Sequence, residues 1–193
     1  MIKFRIKLEG TAPLLMHSSR LADPLNQATK ALKKVTSKRQ KTDEDHEQIA
    51  QLEHQGSLYL DADVGPFIPG ENIARSLVDG ARLSKQGRKI ERGVFIETDT
   101  NPLGGYRGPR DAAGLWADEN FRHMASVKVG TSRTMRCRPI FHTWSVEAEG
   151  FFDPEIIDLE DLEAIAVTAG QVVGLGDWRP RFGRYTATVE KVS

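Results

Sequence analysis

The sequence has one cysteine, a net charge of zero and no long apolar run. Each of these features excludes a class of protein. Cys137 is the only cysteine among 193 residues, which rules out an intrachain disulfide and a zinc site built from several cysteines. Basic and acidic residues number 27 each, so the chain is not a uniformly basic protein. No apolar run approaches the ~20 residues of a membrane helix, and "MIKFRIKLEG" lacks the pattern of a signal peptide. We therefore expect a cytoplasmic protein.

The charges are segregated along the chain although they cancel in total. Residues 30–41 contain six basic residues and no acid, and residues 121–138 contain five basic residues and no acid. Residues 147–163 carry eight acids, and no lysine or arginine lies between Arg138 and Arg179. Local basic surfaces are thus compatible with a neutral protein. The alternative is that these runs are ordinary solvated faces.

Hydrophobic periodicity predicts two amphipathic helices and several strands. Residues 2–10 alternate apolar and charged side chains, which indicates a half-buried strand. Apolar residues recur at helical spacing in 71–83 and 158–174, whereas 42–55 has few and predicts an exposed helix. Short strands are expected at 93–99 and 184–192, and the chain from 125 to 152 reads as extended, with Pro139 favouring an edge strand or a bend.

The order of these elements is strand, helix, strand, strand, helix, strand. This βαββαβ order predicts an α+β, ferredoxin-like (RRM-like) core with an antiparallel sheet. We expect one domain over residues 1–193 with two insertions. The first, residues 12–65, is a basic and helical finger, and the second, residues 100–125, is a loop rich in glycine and proline.

The segment "GLGDWRPRFGRY" (174–185) joins the second core helix to the last strand. Glycines permit tight backbone conformations, and arginines on such a loop present planar donors to phosphates. Trp178 offers a face to a nucleobase. The alternative is a tight turn with the tryptophan in the core. A second segment, "PFIPGENIARSLVDGAR" (66–82), places a Pro/Gly loop before a helix that carries Arg75; a helix start is a natural anion site.

Together these segments resemble the RAMP superfamily, the backbone and processing proteins of CRISPR effector complexes in antiviral defence. "PFIPGENIARSLVDGAR" is similar to that superfamily's "IPG-S-S-[IL]-K-G-[AL]-[IL]-R" segment. "GLGDWRPRFGRY" resembles its glycine-rich loop before the final strand, and "TAPLLMHS" resembles its opening. The resemblance covers about half of the chain. It implies an RNA-binding or single-strand-binding protein whose subunits stack along the nucleic acid, with a phage or mobile-element relative as a further possibility.

The candidate nucleic-acid-binding residues are cations of the insertions and of the two glycine-containing segments, together with one tryptophan. Sequence-independent binding to phosphates needs several such cations. The aromatic residues Tyr106, Trp144 and Trp178 are available to stack on bases, and packing in the core is the alternative for each. The full set of binding candidates is Lys30, Lys33, Lys34, Lys38, Arg39, Arg75, Arg133, Arg136, Arg138, Trp178, Arg179, Arg181 and Arg184.

Two residues are candidates for catalysis. Asp23, in "RLADPLN", stands where cleaving backbone subunits of the RAMP superfamily carry an aspartate, and His17 stands where its processing ribonucleases often carry a general base. The alternatives are that Asp23 initiates a turn and that His17 is structural or exposed. The other histidines show no ligand spacing, and we find no P-loop, HExxH or Ser-His-Asp pattern. We expect neither a metal site nor a cofactor.

Three functions remain open. We favour a non-catalytic protein that binds single-stranded nucleic acid, RNA before DNA, without sequence preference and assembles along the strand as a homo-oligomer or with other effector subunits. The first alternative is a RAMP-type endoribonuclease. The second is a structural or assembly protein of a phage or mobile element that binds no nucleic acid, in which acidic and basic segments of successive subunits meet.

Overall fold

A computed structural model describes residues 1–192 of the chain. The protein is an α+β structure whose paired strands are antiparallel, as predicted. Two 3-10 turns, Ser19–Leu21 and Glu119–Phe121, connect longer elements. In chain order, the helices and strands are β1 (Ile2–Gly10), β2 (Leu14–Leu15), α1 (Gln27–Thr36), α2 (Asp43–Ser57), β3 (Leu60–Asp61), β4 (Gly65–Pro69), α3 (Gly70–Arg82), α4 (Gly87–Gly93), β5 (Val94–Ile96), β6 (Thr100–Pro102), α5 (Ala112–Ala117), β7 (Arg122–Val129), β8 (Ser132–Phe141), β9 (Ser145–Phe152), α6 (Leu159–Val172) and β10 (Tyr185–Lys191).

The main sheet has four strands in the order β10-β1-β9-β5. The alternation predicted for β1 is confirmed: Phe4, Ile6 and Leu8 are fully buried, and the charged residues between them face the other side of the sheet. Arg5 lies there within ion-pair distance of glutamates on both neighbouring strands. One face of the sheet is thus core and the other is a charged surface.

Two helices cover the apolar face. α3 follows β1 in the core path and α6 connects β9 to β10, so the path is βαββαβ. With its sheet order, this arrangement is consistent with a ferredoxin-like fold. The helical periodicity is borne out, because Ile73 and Leu77 of α3 and Leu162 and Ala166 of α6 are all buried. A Cβ added to Gly80 would lie 2.6 Å from the Cβ of Ala169, so the two helices are in close contact.

The first insertion contains β2, α1, α2 and β3. A capping box begins α2: the Thr42 hydroxyl accepts from the Asp45 amide, and the Asp45 carboxylate accepts from the Thr42 amide. The prediction that this helix is exposed is wrong for its second half, where Glu53 and His54 are buried. The reason lies far along the chain: Glu53 binds the Arg136 guanidinium and accepts the Cys137 amide, and the His54 ring lies 2.9 Å from the Phe121 carbonyl oxygen.

The segment 125–152, expected to be extended, contributes to two different sheets. β7 and β8 form a hairpin that pairs with β2 in the order β2-β8-β7, whereas β9 enters the main sheet. The expectation that Pro139 marks an edge strand is wrong, because β8 is the central strand. Pro139 lies opposite Arg122, the first residue of β7, so its missing N–H falls where that pairing ends.

The segments expected to be loops contain short strands and one helix. β3, β4 and β6 form a third small sheet, so residues 65–69 are not a loop. Within the second insertion, β6 and α5 interrupt the glycine- and proline-rich chain, and β7 already begins at Arg122. These strands are only two to five residues long, too short for a periodic signal. None of the helices in residues 1–192 has the length and apolar character required to cross a membrane.

Candidate nucleic-acid interface

The glycine-rich loop between α6 and β10 is fixed to the segment that carries His17. The Asp177 amide donates to the Leu15 carbonyl and the Gly183 amide to the Pro13 carbonyl, both at 2.8 Å. Gly183 has φ 74°, and a Cβ there would lie 1.8 Å from the Leu175 carbonyl oxygen. Only glycine tolerates this backbone conformation in this space, so the loop closes tightly on itself and on residues 13–15.

A buried hydroxyl pair joins the same loop to α3. The Ser76 hydroxyl donates to the Gly174 carbonyl at 3.0 Å and lies 2.9 Å from the Tyr185 hydroxyl oxygen. Both side chains are buried, and burial raises the pKa of Tyr185 to about 12. The phenol is therefore neutral, and it donates to Ser76 while Ser76 donates to the loop. This chain of hydrogen bonds places the loop against α3.

A small polar pocket forms where the loop, α3 and the end of β2 meet. Its volume is about 210 Å³, below the ~300–1,000 Å³ of typical small-molecule sites. The Tyr59 hydroxyl donates to the His17 carbonyl at 3.3 Å across its wall. The pocket is open to solvent, and its lining residues are His17, Tyr59, Asn72, Arg75, Gly176, Asp177 and Arg179.

Asp177 is the anionic group of this pocket. Its carboxylate Oδ2 lies 3.6 Å from His17 Nδ1 and 3.2 Å from Arg138 Nε. The nearby His17 ring, together with the Arg138 guanidinium, lowers the pKa of Asp177 to about 2. The carboxylate is thus ionised at neutral pH, and it orients His17 on one side and neutralises Arg138 on the other.

Arginines outnumber carboxylates on the α3 side of the pocket. Arg75, Arg82 and Arg179 all lie within 4 Å of Asp79, at 3.1, 2.9 and 3.7 Å. Glu91 also pairs with Arg82. Asp79 and Glu91 together cannot neutralise three guanidinium groups, so Arg75 and Arg179, which share Asp79, retain donors and positive charge at the pocket mouth.

Among the aromatic candidates, Trp178 alone is exposed. Trp178 has φ 60°, and its side chain is 44% exposed, so the alternative of a tryptophan in the core is wrong. Its ring stacks on Phe182 with centroids 6.0 Å apart and planes 15° from parallel. Trp144 is buried and donates to the Ala12 carbonyl, and Tyr106 packs edge-on against Phe141; neither presents a ring face on the surface beside the pocket.

The structure divides the predicted cations between two places. Arg75 and Arg179 line the pocket, Arg138 supports it through Asp177, and Arg181 and Arg184 are exposed on the loop beside it. The others lie elsewhere: Lys33, Arg133 and Arg136 line a separate groove, and Lys30, Lys34, Lys38 and Arg39 are exposed on α1 or just after it. Two of these are already paired, Lys38 with Asp45 and Arg136 with Glu53.

The two catalytic candidates are not brought together. Asp23 lies in an exposed turn, where its carboxylate accepts the Leu25 amide at 2.9 Å, and it is not among the residues that line the pocket. His17 does line the pocket. In the described part of the chain, no three His, Cys, Asp or Glu side chains are grouped to hold a metal ion.

Six residues of the site were not predicted from the sequence: Tyr59, Asn72, Ser76, Asp79, Asp177 and Tyr185. Asn72 and Ser76 lie within the "PGENIARS" segment and Asp177 within "GLGDWRPR", so both motifs pointed to the right stretch. Asp177 acquires its role by pairing with His17 and Arg138, and Ser76 by bonding to Tyr185, 109 residues away. Contacts between residues so far apart in the chain leave no signal in a single sequence.

No protein-family model matches the chain, and no curated protein matches it significantly. The resemblance to the RAMP superfamily therefore stays a prediction from the three sequence motifs.

Proposed function

We propose that this protein binds single-stranded nucleic acid in the cytoplasm, without sequence preference, along the surface formed by the glycine-rich loop and α3. RNA is the favoured ligand, as the resemblance to the RAMP superfamily implies. The proposal rests on one observation: three separate sequence segments meet at the same pocket. Segments 11–18, 66–82 and 174–185, which bear the resemblance, are far apart in sequence and meet at the one pocket lined by His17, Arg75 and Arg179.

The chemistry of this surface suits a phosphate chain with unstacked bases. Arg75 and Arg179 supply forked donors for phosphate oxygens, and the pocket is too small to enclose a whole ligand but suits part of a chain that passes over it. Trp178, already stacked on Phe182, offers its outer face for a base, a contact worth ~1–3 kcal/mol. None of these contacts reads base edges, so binding without sequence preference is the expected outcome.

Fluorescence anisotropy with labelled 20-nucleotide U and dT strands tests the proposal. We expect binding at low salt whose logarithm falls linearly with log salt concentration, with a slope of ~0.7 per phosphate contact. In the variant Arg179→Ala/Arg181→Ala, affinity should fall about tenfold and the slope should decrease by ~1.4, because two phosphate contacts are lost.

The matched control removes two arginines from another surface. Arg88 and Arg92 are exposed on α4 and form no ion pair among residues 1–192. Arg88→Ala/Arg92→Ala should leave affinity and salt slope close to the unmodified protein. Absence of binding at low salt would contradict the function, and equal losses in both double variants would contradict the assigned surface.

A second candidate function is cleavage of RNA at this pocket, favoured by the His17–Asp177 contact. The carboxylate 3.6 Å from Nδ1 orients the ring, and the other ring nitrogen is then available to accept the proton of a 2′-hydroxyl. Labelled RNA should be cut by the unmodified protein but not by His17→Ala, and a 2′-deoxy strand should stay intact. RNA that stays intact for hours, with and without Mg²⁺, excludes this candidate and leaves binding unaffected.

A further inference from the structure

A second, larger concavity lies between the first insertion and the β7–β8 hairpin. Its volume is about 920 Å³, and its walls are α1, α2 and the distal part of the hairpin. We call it the hairpin groove. Its apolar floor is formed by Leu32, Ile49, Ala50, Met124 and Met135. These residues all belong to segments outside the ferredoxin-like core, and none lines the pocket described above.

The hairpin presents its two methionines on one face. Met124 pairs with Cys137, and Met135 pairs with Ser126, so all four side chains point to the same side of the ribbon. Cys137 on that face is buried against Glu53 of α2, but Met124 and Met135 are 48% and 52% exposed. Two adjacent exposed methionines over an apolar floor are an adaptable binding surface that the chain itself leaves uncovered.

The rim of the hairpin groove is cationic. Lys33 and Arg133 line it and form no ion pair among residues 1–192. Lys41 donates to the Lys38 carbonyl and likewise forms no ion pair among residues 1–192. The carboxylate that lines the groove, Glu53, is already paired with Arg136. The complement of this surface is therefore an apolar stripe flanked by acids.

The acidic segment of a second copy complements the cationic rim of the hairpin groove, but it has no exposed apolar stripe to cover the floor. Residues 153–163 carry six acids, and none forms an ion pair within the described chain. However, Ile157 and Leu162 are buried in their own core, and Leu159 packs against it. That segment has no exposed apolar stripe, so residues 153–163 of a second copy do not cover the floor of the groove.

Nucleic acid fits the hairpin groove less well than a protein segment does. The floor consists of aliphatic and thioether side chains, which provide no aromatic face for a base. The groove volume of about 920 Å³ leaves room for one face of an α-helix about 10 Å across. An amphipathic helix presents a continuous apolar stripe at positions i, i+3, i+4 and i+7.

We propose that the hairpin groove binds an acidic amphipathic helix of a partner protein, with its apolar stripe on Met124 and Met135 and its acids at Lys33, Lys41 and Arg133. The hairpin groove shares no lining residue with the pocket beside the loop. It adds a protein partner to the nucleic-acid ligand and places the two on different parts of the molecule.

Methionine-methyl NMR provides a direct test, because the chain has four methionines. The probe is a 14-residue peptide with leucine at heptad positions a and d and glutamate or alanine elsewhere. With ¹³C-methyl-methionine protein, this peptide should shift the Met124 and Met135 signals in a saturable way and leave buried Met16 unchanged. Met124→Leu and Met135→Leu assign the signals.

Two groove variants, two control variants and two control peptides test the proposal. Met135→Asp and Arg133→Glu should each weaken peptide binding at least tenfold, whereas Leu83→Asp and Arg88→Glu, exposed substitutions outside the groove, should not. A scrambled peptide without a stripe and a lysine-for-glutamate peptide should not bind. The inference fails if the methyl signals stay unchanged up to about 1 mM peptide, or if a single-stranded oligonucleotide shifts them more than the peptide does.

Discussion

At the scale of single residues, Ser76 is the anchor of the loop. It is fully buried, it accepts from the Tyr185 hydroxyl, and it donates to the Gly174 carbonyl. Ser76→Ala leaves the buried Tyr185 hydroxyl without its acceptor and the Gly174 carbonyl with only its 3.5 Å contact to Arg179, which costs about 1–3 kcal/mol. Tyr185→Phe removes the donor itself and leaves the Ser76–Gly174 bond, so its cost should be about 1 kcal/mol. Urea unfolding monitored by circular dichroism measures both.

The relative size of these two stability losses tests which hydroxyl donates in the Tyr185–Ser76 hydrogen bond. A Tyr185→Phe variant less stable than Ser76→Ala would contradict the direction of donation inferred here. Ser84→Ala is a suitable control, because Ser84 is exposed and bonds only to its own helix end; it should change stability by less than about 0.5 kcal/mol.

The environment of Asp177 predicts that the stability of the protein depends on pH. The folded pKa of Asp177 is depressed to about 2, below the ~3.9 of an unfolded aspartate, so its contribution is complete above pH ~4 and is lost as pH falls toward 2. Because the side chain is 37% exposed, screening reduces that contribution to about 1 kcal/mol. The unfolding free energies of the protein and of Asp177→Asn, measured from pH 2 to 7, should differ at neutral pH and converge near pH 2. Parallel curves over the whole range would refute the assignment.

At the scale of elements, the contact of α3 with α6 sets the position of the loop. Alanine at position 80 gains up to ~1 kcal/mol of helix propensity, but its Cβ would lie 2.6 Å from that of Ala169 and 2.9 Å from the Ala169 Cα. Overpacking costs ~1–3 kcal/mol, so Gly80→Ala should destabilise the protein in urea. Gly80→Ala/Ala169→Gly removes one of the two methyl groups and should recover part of the loss. A Gly80→Ala protein as stable as the unmodified one would show that the helices separate freely.

Elements with long periodic patterns were predictable, and elements that depend on distant partners were not. β1, α3 and α6 follow from their spacing because one face of each is core. By contrast, the pattern of β8 does not reveal that it leaves the main sheet to pair with Leu14 and Leu15. The buried end of α2 was missed for the same reason, since Glu53 looks solvent-exposed until Arg136 and the Cys137 amide are placed beside it. In the site, glycines and arginines marked the loop, but Ser76 and Asp177 acquired roles only through packing.

At the scale of the whole molecule, the separation of acidic and basic segments favours contacts between successive copies of the protein. The six acids of residues 153–163 and two lysines of α1 outside the hairpin groove, Lys30 and Lys34, form no ion pairs within residues 1–192, so the charges that cancel in the sequence do not cancel locally. Successive copies arranged head to tail bring such surfaces together without closing a ring, and a bound strand raises their effective concentration. Assembly along nucleic acid is therefore an expected consequence of the proposed binding.

Light scattering with U strands of 10, 20 and 40 nucleotides at low salt tests this assembly. We expect the mass of the complex to rise in steps with strand length, with more than one protein on the longer strands, and to revert to the free protein at high salt as phosphate contacts are screened. Glu160→Lys/Asp161→Lys changes the acidic segment on the exposed face of α6, away from the loop. It should lower the number of copies per strand while leaving affinity for the 10-nucleotide strand unchanged. A constant one protein per strand at all three lengths would separate binding from assembly and refute the latter alone.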